Sequence, residues 1–426
     1  MAWWRRGYAA DCKSVYPGSI PGQASTSMTE PTRALWRASR QALTSLGVAI
    51  ACGLALFELR LDPNIASLTA LAAALVLAVL AFGSGSSRLG KGLWLAAALL
   101  AVFAILDTEA ALLFRPKVTL DGAARRFVVA DPLLGYAPRP GARAHVTWAR
   151  GGRTIYDARY TIGPDGFRLT RSNPNPTANT TAFLGDSYTY GDGLNDGDTL
   201  PQQYAAVGGY RQKVINAAFS GYGTHQVLRL LQSDRLDGRL GAGRRTFVYP
   251  MIEEHLRRLD GRGPLEWMGT PRYVLDHGQP RLAGRFHPGL EGALLGVASS
   301  SALFTALTNQ SMLEPSAQSP ELFGAMVQQA RDLARTRYAA GFLVLLWDEP
   351  ILRDVGDPER ASRRAAMVDR IAAELRRRGV PFWRISALIP DYPSHMAAYV
   401  IAGSGHPSAA LNHRLAIELS RRLPAS

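Results

Sequence analysis

A serine and a histidine in two glycine-containing stretches are the residues of this chain best suited to chemistry. Ser187 follows an apolar run that ends at Leu184, in "TTAFLGDSYTYGDG", and His406 precedes a proline and a predicted helix, in "VIAGSGHPSAALNH". A serine hydroxyl is a weak nucleophile unless a base within hydrogen-bond reach takes its proton, and histidine is the residue that most often does so. The two stretches therefore indicate nucleophilic catalysis with His406 as the general base.

A histidine base normally has a carboxylate that holds its ring, but the four residues before His406 are alanine, glycine, serine and glycine. Loss of the orienting acid from a Ser-His-Asp triad costs about 10⁴ in kcat. The ring is therefore held either by a weaker group, such as the Ser404 hydroxyl or a backbone carbonyl, or by an acid from elsewhere. The candidate acids are Asp348, Asp391 and Glu254, of which Asp348 and Glu254 lie near predicted strand ends.

Short apolar strands alternate with helices after the break "SNPNPTANT". The strands are predicted at 181–186, 213–218, 245–250, 342–347 and 380–385. The helices are predicted near 199–208, 224–234, 319–339, 358–378 and 408–422. This alternation indicates an α/β domain, at 176–426, with a parallel sheet covered on both faces. Ligands bind at the carboxyl ends of such strands, where Ser187 falls.

Two further regions accompany this domain. Residues 256–316 interrupt the alternation and are predicted to be an insertion, in which "WMGTPRYVLDHGQPRLAGRF" indicates a small hairpin beside the site. Residues 116–175 contain two alternating runs separated by a Gly-Gly turn and predict a β-rich connecting region.

Three stretches, "FLGDSYTYGDG", "INAAFSGYGTHQ" and "GHPSAALNHRLA", resemble in this order the first, second and last sequence blocks of the SGNH or GDSL hydrolase family, over about residues 180–420. The resemblance implies a three-layer, flavodoxin-like domain with Ser187 as nucleophile and His406 as base. It also implies that the backbone N–H groups of Ser187 and Gly221 form the oxyanion hole, because such donors must be aimed at the developing charge in advance. No cofactor or metal is expected.

The chain departs from the pattern of this family at two places. The family has an asparagine donor after the third strand, whereas "YPMIEEHLRR" has Glu253, Glu254 and His255 there. An ionised glutamate cannot donate a hydrogen bond. Either His255 or a protonated glutamate takes this role, or the two backbone donors suffice. The family also has an aspartate shortly before the histidine, where this chain has Gly403 and Ser404.

Three apolar stretches, 41–57, 65–84 and 92–106, precede the β-rich region. Because a bilayer core needs about 20 apolar residues, they predict three transmembrane helices within 41–115. Arginine and lysine cluster before the first stretch and between the second and third, which predicts a cytoplasmic tail at 1–40 and an exported domain after about residue 115. Residues 1–27 resemble a start-site artefact, and Met28 would then be the first residue.

The overall charge does not indicate nucleic-acid binding. The formal charge is +14, but only four of the 48 basic residues are lysine, and the arginines are scattered through every region. No basic patch with interleaved aromatic residues is present. The two cysteines, Cys12 and Cys52, lie before the globular part and offer neither a disulfide framework nor a thiolate metal site.

These patterns and the resemblance predict a serine ester hydrolase anchored in the bacterial inner membrane, with its catalytic domain outside. Its expected substrate is an acyl or acetyl ester of a cell-envelope glycan or lipid. Two alternatives stay open: an O-acyltransferase that uses the same acyl-enzyme, and an inactive domain that binds a glycan or a partner protein.

Overall fold

The protein is described here from a computed structural model. The structure describes residues 65–84, 87–114, 117–120, 127–150, 152–261, 269–311, 315–350 and 356–423. The chain divides into two compact units. One includes Ala72–Leu100, and the other includes Arg60–Leu71 and Ala101–Ser426.

Two apolar helices begin the described chain, α1 (Ile65–Gly83) and α2 (Arg88–Phe114). Within the described residues, only Arg88–Ala111 of α2 is long and apolar enough to cross a membrane. The prediction of three spanning helices is therefore corrected. The apolar part of α1, Ser67–Gly83, falls short of the roughly 20 residues that a bilayer core requires. The first predicted span, 41–57, lies outside the described residues.

The segment that follows is built from antiparallel strands. Strands β1 (Lys117–Leu120), β4 (Arg143–Arg150) and β5 (Arg153–Thr161) form a sheet in the order β1-β4-β5. Strands β2 (Val128–Asp131) and β3 (Gly135–Pro138) form a separate hairpin. The buried rings of this segment belong to the same hydrophobic core as those of the α/β domain, so the segment is packed against that domain.

The first half of the α/β domain contains three strands and four helices. The strands are β6 (Thr180–Phe183), β7 (Lys213–Asn216) and β8 (Arg245–Met251). The helices are α3 (Ser187–Tyr190), α4 (Leu200–Val207), α5 (Thr224–Gln232) and α6 (Glu254–Arg258). The Thr199 hydroxyl caps α4 by accepting from the backbone N–H of Gln202. The Gln202 side chain does not complete a capping box, because its oxygen accepts from the N–H of Arg171.

The insertion consists of a hairpin and two helices. Strands β9 (Pro271–Asp276) and β10 (Gln279–Arg285) pair antiparallel and form the hairpin expected in this region. Helices α7 (Leu290–Ser299) and α8 (Ala302–Ser311) follow directly.

The second half completes the sheet. It consists of α9 (Ser319–Tyr338), β11 (Ala340–Leu346), α10 (Pro358–Arg377), β12 (Phe382–Arg384), α11 (Ile385–Leu388), α12 (Met396–Tyr399) and α13 (Ala409–Arg422). All five strands are parallel, in the order β12-β11-β8-β6-β7. Relative to chain order this is the flavodoxin-like arrangement 2-1-3-4-5. The predicted parallel sheet is confirmed.

Two hydrophobic layers cover the sheet, one on each face. Along β11, Val344 and Leu346 face a core shared with α5, α9 and α10, while Leu343 and Leu345 face a second core shared with α4 and α13. This alternation follows from the two-residue period of a strand. Strand β7 lies on one side of β6, and β8 and the later strands lie on its other side. The strand order therefore reverses between β6 and β8, and ligands bind outside the carboxyl ends of the strands at such a point.

Candidate active site

Ser187 is held at the carboxyl end of β6 by a tight turn. Gly185 has φ +125°, and a Cβ there would lie 2.8 Å from the carbonyl oxygen of Pro250. Only glycine fits this conformation and this close approach. Asp186 then caps α3 by accepting from the backbone N–H of Tyr188 at 3.0 Å. Ser187 becomes the first residue of the helix and is 9% exposed.

His406 is held opposite Ser187 by a loop between α12 and α13. The N–H of Ile401 donates to the carbonyl of His406 at 2.8 Å, which closes the loop on itself. The Tyr188 hydroxyl donates to the carbonyl of Gly405 at 2.9 Å, so the nucleophile helix and the histidine loop are joined. As a result, His406 Nε2 lies 3.0 Å from Ser187 Oγ. This is hydrogen-bond distance for proton transfer from serine to histidine.

The second ring nitrogen of His406 meets a hydroxyl. His406 Nδ1 lies 2.6 Å from Ser404 Oγ. In the tautomer that leaves Nε2 free to accept from Ser187, Nδ1–H donates to the Ser404 oxygen. The sequence left open whether a hydroxyl, a backbone carbonyl or a distant acid holds the His406 ring, and the group in contact with Nδ1 is the Ser404 hydroxyl.

Two of the candidate acids have other partners. The Asp348 carboxylate accepts from the N–H and the hydroxyl of Ser386, at 3.0 and 2.7 Å. Asp391 accepts from the Tyr399 hydroxyl at 2.9 Å and lies 3.3 Å from Arg414. In the described chain, no hydrogen bond or ion pair joins either carboxylate to His406. The structure thus brings the Asp348 carboxylate to the start of α11 and not to His406.

The two residues after β8 that were candidate oxyanion donors, Glu254 and His255, have other partners. Glu254 reaches the wall of the cavity beside Ser187, where it lies 2.7 Å from Arg257 and 3.6 Å from Arg258. His255 is fully buried behind the nucleophile turn. Its Nε2 lies 3.1 Å from Asp186 Oδ2, and its Nδ1 lies 2.6 Å from the Tyr249 hydroxyl. Both ring nitrogens are thus engaged, and His255 is not placed to donate to an oxyanion.

The pair of Asp186 and His255 has its ionisation fixed by burial and by neighbouring charge. Burial raises the pKa of Asp186, but His255, Arg258 and the N–H of Tyr188 outweigh it, so the pKa lies below its ordinary value. Burial lowers the pKa of His255, and the opposing effect of Asp186 does not cancel it. The Asp186 carboxylate is therefore a structural charge under the nucleophile turn.

Ser187 and Gly221, whose backbone N–H groups are predicted to form the oxyanion hole, both line the cavity. Neither Ser187 nor Gly221 donates its N–H to a backbone or side-chain acceptor among the residues that the structure describes. The turn that carries Gly221 is held on both sides. The Tyr136 hydroxyl donates to the carbonyl of Ser220 at 3.0 Å, and Arg258 donates to the carbonyl of Tyr222 at 2.6 Å.

Asp192 is a residue of the site that the sequence argument did not select. It lines the same cavity as Ser187 and His406, and its Oδ1 accepts from the Ser220 hydroxyl at 2.6 Å. Burial holds the pKa of Asp192 above its ordinary value, and the charge of the facing His406 is the largest of the effects that oppose this rise. The available signal was the second aspartate of "GDSYTYGDG", which follows the serine by little more than one helical turn.

A buried arginine fixes the segment that carries Asp192. The Arg168 guanidinium donates to the carbonyls of Tyr190, Gly191 and Leu194 at 2.6–2.8 Å. Its central carbon lies 4.5 and 4.7 Å from the ring centroids of Tyr160 and Tyr190, at the distance of a cation–π contact. Because Arg168 and Tyr160 come from the β-rich segment, that segment supports the site.

The cavity has a volume of about 300 Å³. Polar side chains at its wall include Ser187, Asp192, Ser220, Glu254, Arg258 and His406. This volume is at the lower end of the range for small-molecule sites. A nucleophile, a base, two free N–H donors and a carboxylate therefore converge on a small polar cavity, which is the set of groups that acyl transfer requires.

Comparisons with known proteins gave structural likenesses alone. No family model and no curated protein matches the chain. Among solved structures, TesA covers 57% of this chain with 97% of its own length, at 17% identity and a TM-score of 0.31. LAE5, an alpha/beta hydrolase enzyme from the metagenome of Lake Arreo, Spain, covers 58% with 96% of its own length, at 13% identity and a TM-score of 0.34. The assignment of the fold rests on the strand order and direction described above.

Proposed function

We propose that the protein is a serine ester hydrolase that forms an acyl-enzyme on Ser187. The observation that carries this proposal is the contact of 3.0 Å between Ser187 Oγ and His406 Nε2, at the edge of a cavity that Gly221 also lines. Each of these groups has a defined part in acyl transfer, and their convergence argues against a domain that only binds its ligand.

Acylation begins when Ser187 Oγ bonds to the ester carbonyl carbon while its proton passes to His406 Nε2. The carbonyl oxygen becomes an oxyanion, which the N–H groups of Ser187 and Gly221 stabilise. When the adduct collapses, the bond to the alkoxy oxygen breaks, and that oxygen leaves as an alcohol with the proton from Nε2. Water then attacks the acyl group and gives a proton to Nε2. The acid departs as the proton returns to Ser187.

The imidazolium formed in each step needs a counter-charge, and a hydroxyl cannot provide one. Ser404 holds the ring by accepting from Nδ1–H. Asp192 faces the same cavity, and the effect of His406 on its pKa indicates that the two side chains interact electrostatically. A positive charge on His406 favours ionised Asp192, and ionised Asp192 favours the imidazolium. In this proposal the usual aspartate is replaced by two residues, one that orients the ring and one that supplies charge.

The small polar cavity favours a short acyl group on a hydroxylated alcohol. A long acyl chain needs an apolar channel, whereas Asp192, Glu254 and Arg258 suit a sugar or headgroup. The apolar part of α2, few of whose residues are buried, suits a membrane anchor. We therefore propose an acetyl or other short acyl ester of a cell-envelope glycan or lipid as substrate, with the domain on the outer side of the inner membrane.

The test uses the full chain in detergent and its Ser187→Ala variant. We expect the unmodified chain to hydrolyse p-nitrophenyl acetate faster than p-nitrophenyl decanoate, and to react with a fluorophosphonate at Ser187. Ser187→Ala should lose both reactions. Absence of turnover and of labelling in the unmodified chain would count decisively against the proposal. Addition of a hydroxylated acceptor separates hydrolysis from transfer, since a transferase would form acylated acceptor at the expense of free acid.

A further inference from the structure

Helix α7 of the insertion has an apolar surface that the described protein does not cover. Leu290, Leu294 and Val297 are 74%, 61% and 37% exposed. Their spacing of four and three residues places them on one side of the helix. None of the ten residues of α7 is buried, and Glu291 is its sole charged side chain. A helix of this composition is normally covered by a protein core or by lipid.

A buried carboxylate joins this region to the apolar helix α2. Asp107 lies in the part of α2 that is long enough to span a membrane, and its side chain is fully buried. It accepts from the Ser67 and Ser301 hydroxyls at 2.9 and 2.8 Å, and from the backbone N–H of Leu303 at 2.8 Å. Leu303 is in the first turn of α8, where a carboxylate is favoured. Asp107 therefore fixes the start of α8, and with it the end of α7, against α2.

The position of Asp107 along α2 sets the depth of this contact. Asp107 precedes the end of the apolar stretch, Ala111, by four residues, which is about 6 Å along a helix. Apolar helices that lie in a membrane surface are buried about 5–10 Å deep. The neighbouring residues of α2, Ile105 and Leu106, are also exposed. The C-terminal end of α7 is thus held, through the start of α8, close to α2 near the membrane surface that a span ending at Ala111 would cross.

We propose that α7 inserts its apolar face, Leu290, Leu294 and Val297, into the acyl chains of the bilayer on the side that carries the hydrolase domain. This inference rests on the membrane anchoring in the proposed function. Its occupant is phospholipid, because the contact through Asp107 is continuous with the surface of the span itself. The helix gives the domain a second attachment besides α2.

The two ends of the insertion are hydrogen-bonded to residues that follow the wall of the cavity in the chain. The Asp260 carboxylate accepts from the N–H of Ser316 at 2.8 Å and from its hydroxyl at 2.9 Å. His287 Nε2 contacts the carbonyl of Gly261 at 2.7 Å. Both contacts lie directly after Arg258, which lines the cavity. Insertion of α7 would therefore restrict the rotation of the catalytic domain relative to the membrane.

The test places a fluorophore at this face in the full chain, with Cys12 and Cys52 replaced by serine. Leu294→Cys is labelled with an NBD group and reconstituted into phosphatidylcholine vesicles. The matched control is Leu169→Cys, because Leu169 is 50% exposed and lies outside the insertion. We expect a blue-shifted emission at position 294 that lipids spin-labelled on their acyl chains quench. The control should show an aqueous emission without quenching.

Two results at position 294 would overturn the inference. An aqueous emission would place α7 in water, and a blue-shifted emission without quenching by lipid would show that protein covers it. Release of the chain from vesicles by alkaline carbonate would remove the anchoring on which the inference rests. Turnover of p-nitrophenyl acetate by the same samples reports separately on Ser187 and His406, so failure of the membrane contact is distinguishable from failure of the hydrolase.

Discussion

Two histidines contact neighbouring residues of one turn, with different consequences. His406 contacts Ser187 from the cavity at 3.0 Å, and His255 contacts Asp186 from the interior at 3.1 Å. His406 has one nitrogen toward a reactive hydroxyl beside open space. His255 has both nitrogens toward partners that are themselves fixed, Asp186 and Tyr249. A catalytic histidine therefore differs from a structural one in the surroundings of its ring, and its position near a strand end does not distinguish the two.

The largest expected effect tests the cavity side of this comparison. His406→Ala should lower kcat for p-nitrophenyl acetate by about 10⁶, because no second histidine lines the cavity at Ser187 in the part of the chain that the structure describes. The melting temperature should change little, since His406 is not part of the buried core. The measurement is steady-state kinetics beside thermal unfolding of the same sample. A variant that kept most of the rate would exclude His406 as the base.

The interior side is tested by Asp186→Asn. Removal of this buried charge leaves His255 without a carboxylate and Arg258 with Glu254 alone, and breaking such a buried pair costs about 3–5 kcal/mol of unfolding free energy. The matched control is Asp165→Asn, whose partner Arg239 is exposed, and whose loss should cost less than about 1 kcal/mol. Urea unfolding measures both. Equal effects of the two variants would contradict a structural role for Asp186.

The counter-charge is tested by Asp192→Asn. We expect kcat to fall by about 10², or about 2.7 kcal/mol, because the neutral amide no longer stabilises the imidazolium of His406. The measurement is steady-state kinetics with p-nitrophenyl acetate. A rate within about threefold of the unmodified enzyme would leave Ser404 as sufficient.

A third histidine gives the stability a pH dependence. His225 is fully buried, neither ring nitrogen has a hydrogen-bond partner among the described residues, and burial lowers its pKa to about 3. The unfolded chain binds this proton near pH 6.5, so stability is complete above that pH and falls as the pH drops toward 3. The slope for one group is about 1.4 kcal/mol per pH unit.

His225→Phe should therefore lose about 2 kcal/mol less stability than the unmodified chain between pH 7 and pH 5. The control is His277→Asn, because His277 is almost fully exposed and removes a titratable ring without burial. Urea unfolding of the three proteins at both pH values gives the slopes. Equal slopes for all three would show that His225 is not held neutral in the fold.

The smallest expected effect concerns Ser404. Ser404→Ala should lower kcat by about tenfold, or about 1.4 kcal/mol, because the ring loses a single neutral hydrogen bond. Ser404→Thr keeps the hydroxyl and serves as the matched control, with a rate near that of the unmodified enzyme. If alanine and threonine were equivalent, the hydroxyl would not orient His406.

The sequence was informative where the signal is local. The alternation of apolar runs and helices gave the parallel sheet, and the position of Ser187 after β6 placed it at the carboxyl edge. Ser404 also lies beside His406 for a local reason, since both belong to one short loop. Such features depend on the residues within a few positions, and strand direction then determines which edge they share.

The acid that orients His406 and the side-chain donor expected after the third strand could not be determined from local sequence. Asp348 ends a strand as expected, but its carboxylate accepts from Ser386, a contact that only the packed position of α11 creates. Asp192 reaches the cavity because Arg168, from another segment, holds the backbone around it. The second predicted span was wrong for a different reason: apolar composition alone does not fix where a helix starts and ends, and the apolar part of α1 is short. The third predicted span lies within Arg88–Ala111, which is long and apolar enough to cross a membrane.

The packing of the β-rich segment sets the smallest portion of this chain that can be an enzyme. Gly403, in the histidine loop, is so close to Ile155 that a Cβ there would lie 2.7 Å from its side chain. Arg168 and Tyr136 belong to the same β-rich segment and support the two turns that flank the cavity. A recombinant fragment cut at the first strand of the parallel sheet would keep the nucleophile and the base but lose these supports. Engineering of a soluble form should therefore begin upstream of Phe127.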